Sequence, residues 1–271
     1  MPEIPDLEAI RHFLAPRMAG NPVAAVEARI PWIIRTGIDG LTSLVGHEFA
    51  SVRRHGKFLL FATDDDRVLV VNSMLTGRFH WAEPAERKRP NTALMLSFAD
   101  GRQLRYSDAR RMGRWYLVPI AELESVPQFA ELGPDALAVD EETFLARLKR
   151  HAGQIKSTLT NQKFVAGIGN AYSDEILWEA GLHPHRRRAT MSEDELRRLY
   201  RAMRSTIEWA IPILEAEVAD RLYQSNEEWR DHLRVHRKAA QPCPRCGAPI
   251  HAQVRGGSET NYCLHCQPLA L

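Results

Sequence analysis

All four cysteines of the chain fall in its last 29 residues, as Cys243-Pro-Arg-Cys246 and, sixteen residues on, Cys263-Leu-His-Cys266. Two Cys-x-x-Cys knuckles at this separation supply four thiolates to one tetrahedral zinc ion on a β-hairpin. Four protein ligands leave no open position for water, so such a zinc is structural. A redox dithiol is the alternative for one knuckle but not for two at this spacing. Cysteines confined to one short segment suit a metal site in a reducing compartment rather than a disulfide framework.

At the other end stands Met1-Pro2-Glu3-Ile4-Pro5-Asp6. Alone, this is most simply an ordinary N-terminus. Its chemical reading is that Met1 is removed and the secondary amine of Pro2 becomes a nucleophile. An α-amino group has a pKa of ~8 against ~10.4 for lysine, so far more of it is neutral near pH 7. Lys57 lies between the basic turn Arg53-Arg54-His55-Gly56 and the apolar run Phe58–Phe61, and reads either as a strand-edge residue or as a functional cation. Gly167-Ile168-Gly169-Asn170 opens a helix, where backbone N–H groups can hold a phosphate. A plain interhelical turn explains it equally well, although Lys156 and Lys163 are near in sequence. Arg110 and Met112 read as a turn between strands, or as a cation beside an apolar wedge able to enter a base stack.

Elements must position these groups. Residues 6–18 carry Leu7, Ile10, Phe13 and Leu14 at helical spacing, with Asp6 as N-cap and Pro16 near the end. From about 22 to 118 the pattern changes to short strands, with Val23–Ile30, Lys57–Thr63, Val68–Val71, Ala93–Phe98 and Trp115–Val118 the clearest. Turns at Thr36-Gly37, Asp64–Asp66 and Asp100-Gly101 separate them, which predicts an antiparallel sandwich or barrel. Residues 119–150 form a bridge, and helices follow over 142–151, 155–161, 170–180, 192–215 and 216–224. Gly181 caps the third of these.

With 44% hydrophobic and 26% charged residues the chain is globular. No apolar run approaches the ~18 residues of a membrane span, and the acidic start is no secretory signal, so a cytoplasmic location is expected. Net charge is +2, but His232–Leu271 carries five Arg/Lys against Glu259 and is therefore +4, leaving −2 for the rest. Basic clusters recur at 53–57, 87–89, 110–114 and 186–188. Clustered cations without high net charge fit a localised polyanion-binding face as well as solvated surface.

Taken together, several stretches resemble the formamidopyrimidine-DNA glycosylase / endonuclease VIII family of base-excision repair enzymes. They are Met-Pro-Glu-Ile-Pro-Asp-Leu-Glu at 1–8, Arg-Arg-His-Gly-Lys-Phe-Leu-Leu at 53–60, Met-Leu-Thr-Gly-Arg-Phe at 74–79 and Tyr-Ser-Asp-Ala-Arg-Arg-Met-Gly at 106–113. The long stretch from Val165 to Pro184 and the hairpin ending Tyr-Cys-Leu-His-Cys-Gln at 262–267 complete the set. The resemblance implies an α+β multidomain protein: an N-terminal antiparallel β-sandwich begun by a helix (1–130), a helix–two-turns–helix domain (131–232) and a C-terminal zinc β-hairpin (233–271). It implies a monomer binding damaged double-stranded DNA in the cleft between lobes, in the cytoplasm or on a nucleoid.

The resemblance also implies roles. Pro2 attacks C1′ of a flipped damaged nucleotide and forms a Schiff base, Glu3 serves as acid/base, and Lys57 assists proton transfer before β-elimination. Asn170 and Lys156 hold flanking phosphates. Leu75 (or Met74), Arg110 and Met112 fill the hole left in the duplex. Departures accompany it. Ser258 stands where the family has an arginine that binds the lesion's phosphate and promotes δ-elimination, and Arg255 lies three residues earlier. Met112 replaces an aromatic, Asp6 replaces a glutamate, Val71-Asn72-Ser73 replaces a His-Leu-containing strand, and 217–231 matches the family's base-capping loop poorly. The leading expectation is a bifunctional DNA glycosylase and abasic-site lyase. The alternatives are a lyase without base excision and a non-catalytic damaged-DNA-binding protein.

Overall fold

The computed structural model describes residues 1–222 and 228–269. These form two compact units, the first from Met1–Ala130 and Ile211–Trp229, the second from Glu131–Ala210 and Arg230–Leu271.

The first unit begins with helix α1 (Ile4–Met18), followed by β1 (Val23–Ala28), a short α2 (Ile38–Thr42), and strands β2 (Phe49–His55), β3 (Phe58–Thr63), β4 (Arg67–Asn72), β5 (Gly77–Ala82), β6 (Thr92–Phe98), β7 (Gln103–Asp108) and β8 (Arg114–Pro119). Two four-stranded sheets result, ordered β1-β6-β7-β5 and β2-β3-β4-β8, with every pairing antiparallel. Their inner faces share one apolar core. Phe49 of one sheet meets Phe98 of the other at 6.4 Å between ring centroids, and Trp115 meets Phe79 and Tyr106 at 6.1 and 5.1 Å. Such edge and tilted contacts are how large rings fill a sandwich core. The expected sandwich with a leading helix is the observed one.

Local differences have plain causes. Helix α1 starts at Ile4, not Asp6, because Pro5 is tolerated in a first turn whose N–H groups have no intrahelical acceptor. Glu3 is therefore the N-cap, and Asp6 accepts from the Glu3 N–H at 2.7 Å. Pro16 lies inside the helix, near enough to its end to forfeit a ladder bond without breaking it. Strands β2, β5 and β7 escape a hydrophobicity reading because Arg53, Arg54, Arg78 and Arg105 interrupt their alternation.

The second unit contains α3 (Glu141–Leu148), capped by the Asp140 carboxylate on the Thr143 N–H at 2.7 Å, then α4 (Ile155–Leu159), α5 (Asn170–Ala180) and the N-terminal part of α6 (Glu193–Val218). Gly181 ends α5 in the left-handed conformation that glycine adopts without strain. The expected break at 215–216 is absent and α6 runs on to Val218. The part of the expected 216–224 helix at residues 223–224, and residues 223–227 of the 217–231 segment, lie outside the described residues. The unit closes with the hairpin β9 (His251–Arg255) and β10 (Ser258–Tyr262). Among the described residues no helix is long and apolar enough to cross a membrane.

Candidate active site

In the first unit, Pro2 is buried, Glu3 is 3% exposed and Met1 projects at 41%. The whole first turn of α1 is interior, so the chain start is held rather than frayed. Lys57 occupies the two-residue loop of the β2–β3 hairpin, after Gly56 at φ +55. Glycine takes that positive φ without strain, as a tight hairpin turn requires. Lys57 is only 8% exposed, an uncommon state for a lysine.

Side chains tie this loop to α1. Glu8 accepts from Arg54 Nε at 2.6 Å through one carboxylate oxygen and from Arg11 Nε at 2.7 Å through the other. Arg54 Nη1 donates in turn to the Gly56 carbonyl at 3.0 Å. The Arg54 side chain is 3% and that of Glu8 9% exposed. Removing one partner of such a pair strands a buried charge, at a cost of about 3–5 kcal/mol. The arrangement fixes the lysine-bearing turn against the helix that carries the N-terminus.

Two further loops, 73–76 and 109–113, share one anchor. Asp108 is fully buried. Its Oδ1 accepts from the Thr76 hydroxyl and from the Arg110 N–H at 3.2 Å, and its Oδ2 accepts from the Gly113 N–H at 2.7 Å. Tyr106, also fully buried, donates its hydroxyl to the Ser73 carbonyl at 3.3 Å. Burial first, then the Asp108 charge, pushes its phenol pKa up, so it remains a donor. A Cβ on Gly77 or Gly113 would overlap the Tyr106 hydroxyl. Both loops thus fold around one phenol and one carboxylate. They leave Leu75 40% exposed, Arg110 exposed and Met112 half-buried.

In the second unit, Lys156 is 8% exposed, and its Nζ donates to Asp174 Oδ1 at 2.6 Å and Thr260 Oγ1 at 2.8 Å. Asp174 Oδ2 lies 2.8 Å from His236 Nδ1 and accepts from the Asn261 N–H at 3.1 Å. Neighbouring Glu175 accepts from the backbone N–H groups of Arg234, Val235 and His236 at 2.9–3.0 Å. Burial pushes its carboxyl pKa up against those hydrogen bonds. Two consecutive α5 carboxylates therefore bind the zinc hairpin and the segment before it.

The glycine turn before α5 is shaped by Gln162, which accepts from the Gly167 N–H at 2.9 Å and donates to the Ile168 carbonyl at 2.8 Å. Asn170 begins α5. Its Nδ2 donates to the Glu259 carbonyl at 2.8 Å and its Oδ1 accepts from Ser258 Oγ at 2.9 Å. Ser258 pairs directly with Arg255 across the hairpin, joined by Gly256-Gly257 at φ +57 and +75. Directly opposed residues share a face of the ladder. Arg255 is exposed, so the hairpin presents a guanidinium beside Ser258, from the neighbouring strand.

The four cysteine sulfurs lie within 4.8 Å of one another. Burial, then neighbouring thiols, raises the pKa of Cys266. Burial opposes the fall of Cys243 to about 6, which the Trp178 indole N–H, 3.3 Å from its sulfur, and backbone N–H groups bring about. Four thiols so close cannot all ionise without a cation, and zinc supplies it. The donor set fits one structural zinc.

Glu8, Arg54, Tyr106, Asp108 and Asp174 lie within the family-like stretches, but no local signal sets them apart from their neighbours. Burial and partner geometry separate them here. Gln162 carried no sequence signal.

Known proteins match this chain over 92–98% of its length. "Formamidopyrimidine-DNA glycosylase N-terminal domain" matches residues 1–115, "Formamidopyrimidine-DNA glycosylase H2TH domain" residues 132–220, and "Zinc finger found in FPG and IleRS" residues 240–269. A formamidopyrimidine-DNA glycosylase of Moorella thermoacetica is 36% identical over 256 residues, 92% of this chain and 93% of that protein. The enzyme of the same name from Cytobacillus firmus is 34% identical over 98% of this chain and 100% of its own. Among solved structures, the wild-type Lactococcus lactis Fpg in complex with N7-benzyl-Fapy-dG-containing DNA superposes with a TM-score of 0.89 at 30% identity, covering 98% of this chain and 100% of that one. The same protein with abasic-site-containing DNA gives 0.89 at 29% identity, covering 98% and 99%.

Proposed function

Because the chain belongs to the formamidopyrimidine-DNA glycosylase family, we infer that it is a base-excision-repair enzyme that removes a damaged base and cleaves the resulting abasic site. Its partner is damaged double-stranded DNA, the ligand that the solved relatives hold. The protein acts as a monomer in the cytoplasm, at the nucleoid where the host is a bacterium. A dimer by sedimentation at working concentration would end the first of these statements.

With Met1 removed, the Pro2 nitrogen attacks C1′ of the flipped nucleotide. The base leaves with the electron pair of the glycosidic bond and takes up a proton. The amine loses its own proton, the C1′–O4′ bond then breaks with its electron pair and a proton going to O4′, and the nitrogen lone pair completes the iminium. Loss of a 2′ proton then expels the 3′ phosphate, which is β-elimination, and water releases the proline. Glu3 exchanges protons with the opening sugar and Lys57 assists proton transfer. Leu75, Arg110 and Met112 fill the vacated stack. Asn170 and Lys156 face the flanking phosphates, with Lys156 Nζ already donating to Asp174, Thr260 and, at 3.5 Å, the Glu259 carbonyl.

The observation that carries this reading is the buried coupling of the N-terminal helix to the Lys57 turn through Glu8 and Arg54. A pure binding protein has no use for a buried lysine and a buried Pro2 held to a common frame. The test incubates the protein with duplexes containing an oxidised purine, an oxidised pyrimidine or an abasic site, then adds borohydride. A covalent complex on a base lesion is expected, and Pro2→Gly should abolish it. Trapping confined to the abasic duplex would leave a lyase without base excision. Binding without any trapping would leave a damaged-DNA-binding protein.

Ser258 supports a narrower second statement: the enzyme stops largely after β-elimination. Its hydroxyl is bonded to Asn170 and carries no charge for a second phosphate. Ser258→Arg should then raise the δ-elimination product. If the wild type already forms that product, loss of it in Arg255→Ala would move the role across the hairpin.

A further inference from the structure

The first unit has an aromatic and cationic surface that the reaction chemistry above leaves unused. Of the six tryptophans, Trp32 alone is exposed, at 53%. It sits in the short turn Pro31–Ile33 after β1. The residues that follow are laid along β8: Ile34 bridges to Trp115, the Arg35 N–H donates to the Trp115 carbonyl at 2.7 Å, and the Leu117 N–H donates to Thr36 Oγ1 at 3.2 Å. This brings Trp32 beside the 109–113 loop. The guanidinium carbon of Arg111 lies 5.3 Å from the indole centroid. Arg111 has a φ of +56, which few non-glycine residues adopt, and its N–H donates to the Asp108 carbonyl at 3.3 Å. The loop holds Arg111 in a conformation that exposed chain would not choose.

The charges around this pair are uncompensated. Arg35, Arg110 and Arg111 are exposed and Arg114 is half-buried, and among the described residues none of the four makes a salt bridge with a carboxylate. Several other arginines of the unit are matched, Arg54 by Glu8, Arg67 by Asp65 and Arg102 by Glu83. Unmatched guanidinium groups around an indole that is about half exposed, with Arg111 over part of it, suit a polyanion with planar groups.

We propose that Trp32 and Arg111 form a stacking shelf for an unpaired base of damaged DNA, the base lying on the indole and its phosphate on the guanidinium. A base inside an intact duplex has both faces covered by its neighbours, so only a base unstacked by the distortion can reach such a shelf. Trp32 therefore discriminates distorted from continuous DNA, while Arg111 adds affinity for both. The proposal rests on the repair reading above, since it is the void-filling loop with Arg110 and Met112 that adjoins the shelf.

The test measures equilibrium binding of the full-length protein, Trp32→Ala, Trp32→Phe and Arg111→Ala to two duplexes. One contains a stable abasic-site analogue, and the other is identical but continuous. Removing an aromatic stacking platform costs about 1–3 kcal/mol per base, so Trp32→Ala should weaken lesion binding by roughly five- to 150-fold. Continuous duplex should change by less than about twofold, and Trp32→Phe should recover most of the loss. Arg111→Ala should weaken both and lower the slope of log K against log salt by about one. Trp32 is exposed, so its truncation leaves no cavity and the folded state survives it. Lesion binding unchanged in Trp32→Ala, or an equal loss on both duplexes, overturns the shelf while parent binding and trapping keep the repair reading intact. A parent protein that neither prefers the lesion duplex nor traps on it overturns both.

Discussion

Asp108→Asn should uncouple the 73–76 and 109–113 loops from the sandwich while changing the volume of one side chain hardly at all. The carboxylate receives three donors: the Thr76 hydroxyl and the Arg110 N–H on Oδ1, and the Gly113 N–H at 2.7 Å on Oδ2. An asparagine oriented to keep the first two must turn its NH₂ towards the Gly113 N–H, donor against donor. The charge-assisted bond to Gly113 is lost, and a buried N–H is left unmatched. A hydrogen bond to a charged group contributes about 1.5–3 kcal/mol and an unsatisfied buried donor costs about 1–3, overlapping quantities that together suggest a loss near 3 kcal/mol. Against the 5–15 kcal/mol typical of a domain, that is a large fraction. Urea unfolding followed by tryptophan fluorescence measures it, and affinity for an abasic-analogue duplex reports the loops. Stability should fall by about that amount, and lesion binding should fall more than binding to continuous duplex. A variant within about 0.5 kcal/mol of wild type, a change ordinary for surface substitutions, with unaltered lesion binding would refute Asp108 as the anchor.

Gly113→Ala should weaken lesion binding because its Cβ collides with the Tyr106 hydroxyl, and Tyr106→Phe in the same chain should restore part of it. Gly77→Ala should stay impaired in that background, since the Ser73 carbonyl also blocks its Cβ. Rescue of both or of neither contradicts the packing. Chelation of zinc, or Cys246→Ser, should release one metal per chain by atomic absorption and abolish DNA binding, with the tryptophan emission changing as Trp178 loses its thiolate partner; retained binding in metal-free protein argues against a hairpin held by zinc. His80, 4% exposed, has its pKa lowered to about 4, first by burial and then by the Arg89 charge. The unfolded chain therefore takes up the proton first, and stability should fall as pH drops from about 6.5 to 4, by on the order of 3 kcal/mol. Denaturation midpoints of His80→Phe should lack that component, and identical pH profiles would exclude His80 as its source.

The parts of the fold written in local signals were legible before any coordinates. The two cysteine knuckles, the Gly181 cap and the strand alternation each need only a few neighbouring residues. Strands β2 and β7 were not, because their arginines face partners distant in sequence: Arg54 meets Glu8, and Arg105 donates to the carbonyls of Glu83 and Glu86. A strand whose charged residues are satisfied by tertiary contacts looks like a loop to any hydrophobicity count. The same limit applied at the site. Lys57 had an edge-residue reading because its surroundings were invisible, and only the 8% exposure and the Glu8–Arg54 bridge separate a buried cation from a surface one. The roles of Asp108 and Asp174 depend on partners 32 and 18 to 87 positions away.

The way Asp108 and Tyr106 hold their loops bears on how this lineage can change. Both grip backbone and the Thr76 hydroxyl, and neither is hydrogen-bonded to the side chain of Leu75, Arg110 or Met112. The fingertips are thus mechanically independent of the knuckles. Exchanges at these three positions leave the anchor untouched, whereas Gly77, Tyr106, Asp108 and Gly113 are coupled by close packing and hydrogen bonds. For the proposed filling of the vacated stack, this leaves an engineer three side chains to vary that leave the scaffold alone.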